Sequence, residues 1–205
     1  MPHAWLEIAK RMQALAQAGL TYAENGYDRE RYEELQTISL DILHRLTDEP
    51  VEKIRSLFTN ETGYQTPKVD VRAVVFEGEK ILMVRENTDN RWSLPGGWAD
   101  VGYSPKEVAI KEVREEAGLV VEPTRLLALL DKKCHPHPPS PFHIYKVFIL
   151  CRTVGGELVP GLETNGVGYF AEDRLPDLSL DRITETQIRL MFELASNPGR
   201  DVAFD

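Results

Sequence analysis

The stretch Leu94-Pro95-Gly96-Gly97-Trp98-Ala99-Asp100-Val101-Gly102-Tyr103-Ser104-Pro105-Lys106-Glu107-Val108-Ala109-Ile110-Lys111-Glu112-Val113-Arg114-Glu115-Glu116-Ala117-Gly118-Leu119 contains a helix with both of its ends written out. Ser104 as N-cap, Pro105 at the first helical position and Glu107 two residues later make a capping box, and Gly118 supplies the stop. The spacing predicts a helix over Ser104–Ala117. Val108, Ala109, Val113 and Ala117 form the side that can bury against a sheet, while Glu112, Glu115 and Glu116 stack three carboxylates along another edge. Like charges at these separations destabilise an isolated helix by roughly 0.2–0.5 kcal/mol per pair, so the grouping wants a cause. A solvated acidic face with Lys106 and Lys111 interspersed is one. A hard cation such as Mg2+, Mn2+ or Ca2+ held by clustered carboxylate oxygens is the other.

Upstream of this helix the period is two. Val69, Val71, Ala73 and Val75 alternate with Asp70 and Arg72, Glu77-Gly78-Glu79 reads as a turn, and Ile81, Met83 and Arg85 share one side of a second strand. Downstream, strand-like runs at Leu126–Asp131, Ile144–Cys151 and Gly166–Phe170 precede a final helix near Ile183–Ala195. Strands and helices in this order, without regular βαβ repeats, predict an α/β sandwich around a mixed sheet. Before the first strand the period is helical. Trp5, Ile8, Ala9, Met12, Leu15 and Ala16 mark a stripe that Gly19 should end, and Tyr32, Leu35, Ile38, Ile42 and Leu46 mark a second helix with Asp28 as N-cap. A short helix over Val51–Phe58 follows, and the polar Thr59–Pro67 reads as a linker.

Composition narrows the classes. The chain has 205 residues, 42% hydrophobic and 28% charged, which excludes a disordered or fibrous polymer and allows one full domain plus an appendage. No apolar run approaches the roughly 18 residues of a membrane span, and Glu7 and Lys10 interrupt what would be a signal-peptide core, so a cytoplasmic location is expected. A net charge of −9 argues against general affinity for nucleic-acid backbone. It leaves room for an anionic substrate if divalent cations lie between the negative partners. Cys134 and Cys151 have no metal-like spacing and suit a reducing compartment. The stiff loop Lys132–His143 is rich in Pro and His, and Lys133, His137 and His143 are candidate donors to phosphate or base edges, although the histidines do not make a zinc site. Arg85 ends its strand near Gly96-Gly97 and is a candidate for a second phosphate, with Arg72 a weaker one.

The segment resembles the Nudix box, whose pattern is Gly-x5-Glu-x7-Arg-Glu-(apolar)-x-Glu-Glu-x-Gly-(apolar). Gly97 is followed after five residues by Tyr103 and after seven more by Lys111-Glu112-Val113-Arg114-Glu115-Glu116-Ala117-Gly118-Leu119, so seven of nine specified positions match. Tyr103 stands where the family has Glu and Lys111 where it has Arg, which puts the family's supporting ion pair in question. Lys cannot reproduce the planar fork of Arg.

The resemblance implies a Nudix-type α/β/α sandwich and a Mg2+- or Mn2+-dependent pyrophosphohydrolase. It makes Glu112, Glu115 and Glu116 the metal carboxylates, with the Gly97 carbonyl a further ligand. Glu163, six residues before Tyr169, becomes a fourth acid, and the general base is one of these four glutamates. Together with Trp5–Tyr22, the box resembles most a bacterial Nudix group of CDP-choline pyrophosphatases, often called ADP-ribose pyrophosphatases. That likeness implies an accessory helical segment over 1–60 that takes part in a homodimer, a linker over 61–67 and a Nudix domain over 68–205. The expected substrate is a nucleoside diphosphate linked to another moiety, CDP-choline first. ADP-ribose, dinucleoside polyphosphate or capped RNA is the alternative within enzymes, and a non-catalytic Nudix-fold nucleotide sensor is the alternative outside them.

Overall fold

The computed structural model describes residues 2–47, 50 and 63–205. Two compact units emerge, Met1–Pro67 with Pro139–His143, and Lys68–Pro138 with Ile144–Asp205. The expected short helix over 51–58 lies outside the described residues, as do 59–62 of the expected linker. Among the described residues, no helix is long and apolar enough to cross a membrane.

In the first unit α1 (Pro2–Tyr22) packs on α2 (Gly26–Thr47). The cap of α2 is Asn25, not Asp28: the Asp28 amide donates to Asn25 Oδ1 at 2.8 Å, and Asn25 Nδ2 donates back to the Asp28 carboxylate. The reciprocal pair spans three residues, as a capping box does, and places Asp28 in the first turn where it favours the helix dipole. Gly19 does not end α1. A Cβ there would meet the Tyr32 ring at 2.4 Å, so this glycine is a notch that lets the helices close on one another.

The expected apolar stripes also need correction. Leu6, Ala9, Gln13 and Ala16 of α1 are buried together with Ser39, Leu40 and Leu43 of α2, and the Ser39 hydroxyl donates to Gln13 Oε1 at 2.8 Å. Trp5 remains 60% exposed, and Ile8, Leu15, Leu35 and Ile38 are exposed too. Each helix carries two apolar faces, and among the described residues the buried one joins Leu6, Leu40 and Leu43 to small and amide side chains.

The second unit is built on β1 (Lys68–Glu77), β2 (Lys80–Glu86), β3 (Trp92–Ser93), β4 (Gly96–Trp98), β5 (Leu119–Asp131), β6 (Ile144–Gly156), β7 (Thr164–Ala171) and β8 (Ala203–Phe204). The sheet is mixed: β6 runs parallel to β1 and antiparallel to β5. β1 and β2 pair only at Phe76–Ile81 and Glu77–Lys80. Beyond that turn they part, β2 taking β7 and β3, and β1 taking β6 and β4. The chain from Trp92 to Trp98 therefore crosses the mouth between them, pairing Ser93 with Val84 on one side and Gly97 with Val71 on the other.

One helix covers each face. Val108, Ala109, Val113 and Ala117 of α3 (Pro105–Ala117) bury against Val71, Ala73, Val75, Leu82, Val84, Val147 and Ile149. Ile188, Met191 and Leu194 of α4 (Glu185–Ser196) bury against Val74, Ile81, Met83, Leu94, Leu127 and Phe148. The α/β/α sandwich is as expected. Both helices carry complete capping boxes, Ser104 with Glu107 and Thr184 with Gln187. β5 begins seven residues earlier than expected, because register breaks around Val120 and Pro123 accommodate a proline inside a paired strand.

Gly118 closes α3 at φ 72, and a Cβ there would stand 2.4 Å from the Glu157 carbonyl oxygen. Gly118→Ala should therefore destabilise the protein by about 2 kcal/mol or more, through left-handed strain plus this clash. Chemical denaturation of the variant against the parent protein measures it; a difference under about 0.5 kcal/mol would contradict this account of the helix end.

Candidate active site

The mouth between β1 and β2 is where the acidic edge of α3 arrives. The Gly96 amide donates to Glu116 Oε2 at 2.9 Å, and the Ala73 amide donates to the Pro95 carbonyl at 2.8 Å. The glycine-rich crossing is thus sewn to β1 on one side and to α3 on the other. Gly97 lies against Glu112: a Cβ on it would stand 3.3 Å from that carboxylate, filling the space between side chain and backbone. The last turn of α3 is tied to the chain before β7. Thr164 Oγ1 donates to the Glu116 carbonyl at 2.8 Å and accepts from the Gly161 amide at 2.8 Å. Glu163 is exposed next to this tie, its carbonyl accepting from the Asn87 amide at 3.0 Å.

Glu116 is only 6% exposed, and burial pushes its carboxyl up to about 8, against the pull of Arg72 and the Gly96 amide. Burial also raises Glu112, opposed by Lys111. Both acids have lost water and gained little in return, which makes them strong acceptors for a cation. With Glu115 and the Gly97 carbonyl they offer an all-oxygen donor set that suits Mg2+ or Mn2+. The side chains do not converge by themselves. Lys111 Nζ stands 3.3 Å from Glu112 and 3.2 Å from Glu115, while Glu116 is held by Gly96. Among the described residues, no three His, Cys, Asp or Glu side chains gather as an ion-binding group.

Beneath the mouth lies a charge cluster that period-two reading treats as a polar face. Asp70 and Arg72, side by side on β1, are both buried, with Arg72 Nη2 at 2.9 Å from Asp70 Oδ1. Lys146 of β6, opposite Asp70 in register and fully buried, donates to the same carboxylate. Burial works to raise Asp70, yet Arg72 and Lys146 hold it down to about 2; burial pushes Lys146 down to about 8, with Asp70 resisting. Arg72 also donates to the Leu94 carbonyl at 3.0 Å and to the Ser93 hydroxyl at 3.1 Å. It is therefore a brace for the glycine-rich crossing, and its charge reaches Glu116 and Glu86.

Glu86, at the end of β2, is a buried carboxylate that sequence reasoning missed. Arg182 Nε lies 3.1 Å from it, and burial raises it while Glu163 adds repulsion. A lone Lys146 inside the run Ile144-Tyr-Lys-Val-Phe-Ile149, and opposite charges two apart at Asp70 and Arg72, were the available signals.

The other candidates are placed differently. Arg85 donates to Asn165 Oδ1 and lies over the Trp92 ring at 5.9 Å, on the strand leading to Glu86. Lys133 Nζ is 3.4 Å from Asp131. His137 is buried, with Nδ1 donating to the Leu180 carbonyl at 2.6 Å and Nε2 unpartnered. His143 belongs to the first unit. Lys133 and His137 are thus engaged by partners within their own unit, Asp131 and Leu180. Neither cysteine is in a disulfide; Cys134 is exposed and Cys151 buried.

A family model described as NUDIX domain matches residues 66–192, and one described as UDP-X-like, N-terminal oligomerisation domain matches residues 3–58. The Bacillus subtilis protein YjhB, provisionally called an ADP-ribose pyrophosphatase, is 47% identical over 201 residues, covering 98% of this chain and 97% of its own. Among crystal structures, an ADP-ribose pyrophosphatase of Streptococcus suis is 48% identical at a TM-score of 0.63, covering 68% of this chain and 100% of its own. A UDP-X diphosphatase is 34% identical at a TM-score of 0.65, covering 100% of this chain and 99% of its own.

The buried imidazole generates a pH dependence. Burial, opposed by the Leu180 carbonyl, lowers His137 from 6.5 to about 4, so between those values the unfolded chain binds a proton that the folded chain refuses. His137 therefore adds stability above pH 6.5 that is lost as pH falls towards 4, by at most about 1.4 kcal/mol per pH unit. Denaturation midpoints from pH 7.5 to 4 should fall less steeply for His137→Gln than for the parent; parallel curves would refute the assignment.

Proposed function

The chain belongs to the Nudix family and is a pyrophosphohydrolase, and from that premise we propose that it cleaves the pyrophosphate bond of a nucleoside diphosphate linked to a second moiety. The observation that carries this reading is the Glu116 carboxylate, buried against the Gly96 amide and next to Glu112, in the helix that matches the box. The names of the relatives at 47% and 48% identity favour ADP-ribose as the first substrate to try, with CDP-choline and UDP-linked sugars beside it.

Hydrolysis needs an attacking water aligned with the leaving phosphate and a means of offsetting charge on the phosphoryl oxygens. Glu112, Glu115, Glu116 and the Gly97 carbonyl are the residues that would hold Mg2+ or Mn2+. Such ions polarise phosphoryl oxygens and lower the pKa of bound water. The chain's own part is to hold these oxygens in place and to accept a proton. One carboxylate among Glu112, Glu115, Glu116 and Glu163 takes that proton from the attacking water. Arg72 opposes the burial that raises Glu116 and holds the Leu94 carbonyl, so the crossing that carries Gly97 stays in register. Arg85 is the candidate for substrate phosphate, at the end of β2 beside the acidic group.

The helical segment 1–60 is the dimerisation part, joined by the linker 61–67 to the catalytic domain 68–205 in a cytoplasmic homodimer. The support is chemical: Trp5, Ile8, Leu15, Leu35 and Ile38 expose apolar surface in a unit matched by an oligomerisation model. The apolar faces would be covered by a second copy.

Replacing Glu116 by Gln should lower turnover by roughly 100-fold or more with the circular dichroism spectrum unchanged, since an amide can neither bind a hard cation as a carboxylate does nor take a proton. Activity within a few-fold of the parent would overturn the catalytic assignment. Assaying ADP-ribose, CDP-choline and UDP-glucose side by side, with separation of the nucleotide products, ranks the substrates. Tight binding without hydrolysis of any nucleotide conjugate would favour the sensor reading.

For the assembly, analytical ultracentrifugation should give twice the 23.3 kDa mass of one chain and a monomer after Leu15→Asp. A monomeric parent protein would dismiss the dimer.

A further inference from the structure

Lys111 is the one box position where this chain keeps a positive charge but changes its shape, and its surroundings differ from a simple supporting pair. Its ammonium stands 3.2 Å from Glu115, 3.3 Å from Glu112 and 3.8 Å from Asp100. Asp100 lies three residues before Tyr103, the position where the box acid is absent. The two are brought together by a turn in which the Tyr103 amide donates to the Asp100 carbonyl at 3.2 Å. That turn folds the loop back, so an acid three residues upstream reaches the same lysine.

Two of the three partners are carboxylates that the metal-binding reading needs for a divalent ion. A guanidinium would commit its planar fork to one of them, whereas an ammonium on a flexible four-carbon stem is a point charge with rotatable donors. Its side chain is about one-third exposed, so it can move without unpacking the core. Electroneutrality supplies the rest. With no divalent ion, Glu112 and Glu115 repel one another at a spacing of three, and the nearest cation relieves them. A divalent ion on the same oxygens would repel Lys111, and Asp100 is the partner left to it.

Building on the metal-binding reading of the box, we propose that Lys111 is a tethered counter-ion that a divalent cation displaces from Glu112 and Glu115 onto Asp100. Lys111 then competes with the ion before it binds and pins the loop after β4 once it has bound. Asp100 takes the part of the acid missing at Tyr103, and Lys111 is a positioning residue that does not touch the reacting atoms.

The test is the affinity of the full chain for Mn2+ without substrate, read by the electron paramagnetic resonance signal of free Mn2+ and by calorimetry. The set comprises the parent, Lys111→Gln, Asp100→Asn and the double variant. Asp100 is exposed and Lys111 partly so, neither belongs to the apolar core, and thermal melts establish that each variant is folded. Removing the competitor in Lys111→Gln should tighten Mn2+ binding by roughly three- to tenfold, the scale of two partly exposed ion pairs. Asp100→Asn should weaken binding when Lys111 is present, because the displaced ammonium has nowhere to go, and should have little effect in the Lys111→Gln background. That non-additivity separates displacement from a general change in charge. Unchanged or weaker binding in Lys111→Gln, or an Asp100→Asn effect of equal size in both backgrounds, would overturn the proposal while leaving the metal site intact. Absence of Mn2+ uptake by the parent would instead overturn the metal-binding reading, and the proposal with it.

Discussion

Arg72 is the charge on which the arrangement around the site depends. Three ionised groups, Arg72, Asp70 and Lys146, are buried together on neighbouring strands with a net charge of +1. A buried ion pair in isolation is weak support for a fold, because desolvation offsets its attraction. Here the excess positive charge has neighbours to answer it, since Glu116 and Glu86 both feel Arg72. The same guanidinium donates to the Leu94 carbonyl and the Ser93 hydroxyl, so the charge that favours the ionised glutamate also braces the crossing whose amide holds it. Electrostatics and positioning therefore cannot be separated at this residue.

The crossing exists because β1 and β2 pair for only two residues each before separating. A sheet continuous between them would leave no edge for Ser93 and Gly97 to fill. The short strands β3 and β4 satisfy backbone groups on either side of the opening, and α3 closes it from one face with its acidic edge. The acidic edge of α3 thus sits at a break in pairing, where a backbone amide such as that of Gly96 meets a side chain instead of a strand.

In the helical unit the buried face mixes leucines (Leu6, Leu40, Leu43) with small residues at the points of closest approach. Ala9, Ala16 and Gly19 allow α1 and α2 to approach closely, and Tyr32 fills the notch at Gly19. Trp5, Ile8 and Leu15 fall on a different arc of the same helix and are exposed. A pattern of apolar spacing cannot distinguish the two arcs, because both recur every three to four residues.

Local chemistry in the sequence settled much of the second unit. The capping box at Ser104 and Glu107, the stop at Gly118, the hairpin turn at Gly78 and the box pattern over Gly97–Leu119 depend on neighbours within a few residues, and each was legible as written. The burial of Asp70 and Lys146, the brace from Arg72 to Leu94, the reach of Asp100 to Lys111 and the capture of His137 by Leu180 were not. In those cases the partner is distant along the chain or delivered by a turn. Whether a polar side chain faces water or another charge is then set by what packs over it, which only the assembled sheet and helices decide.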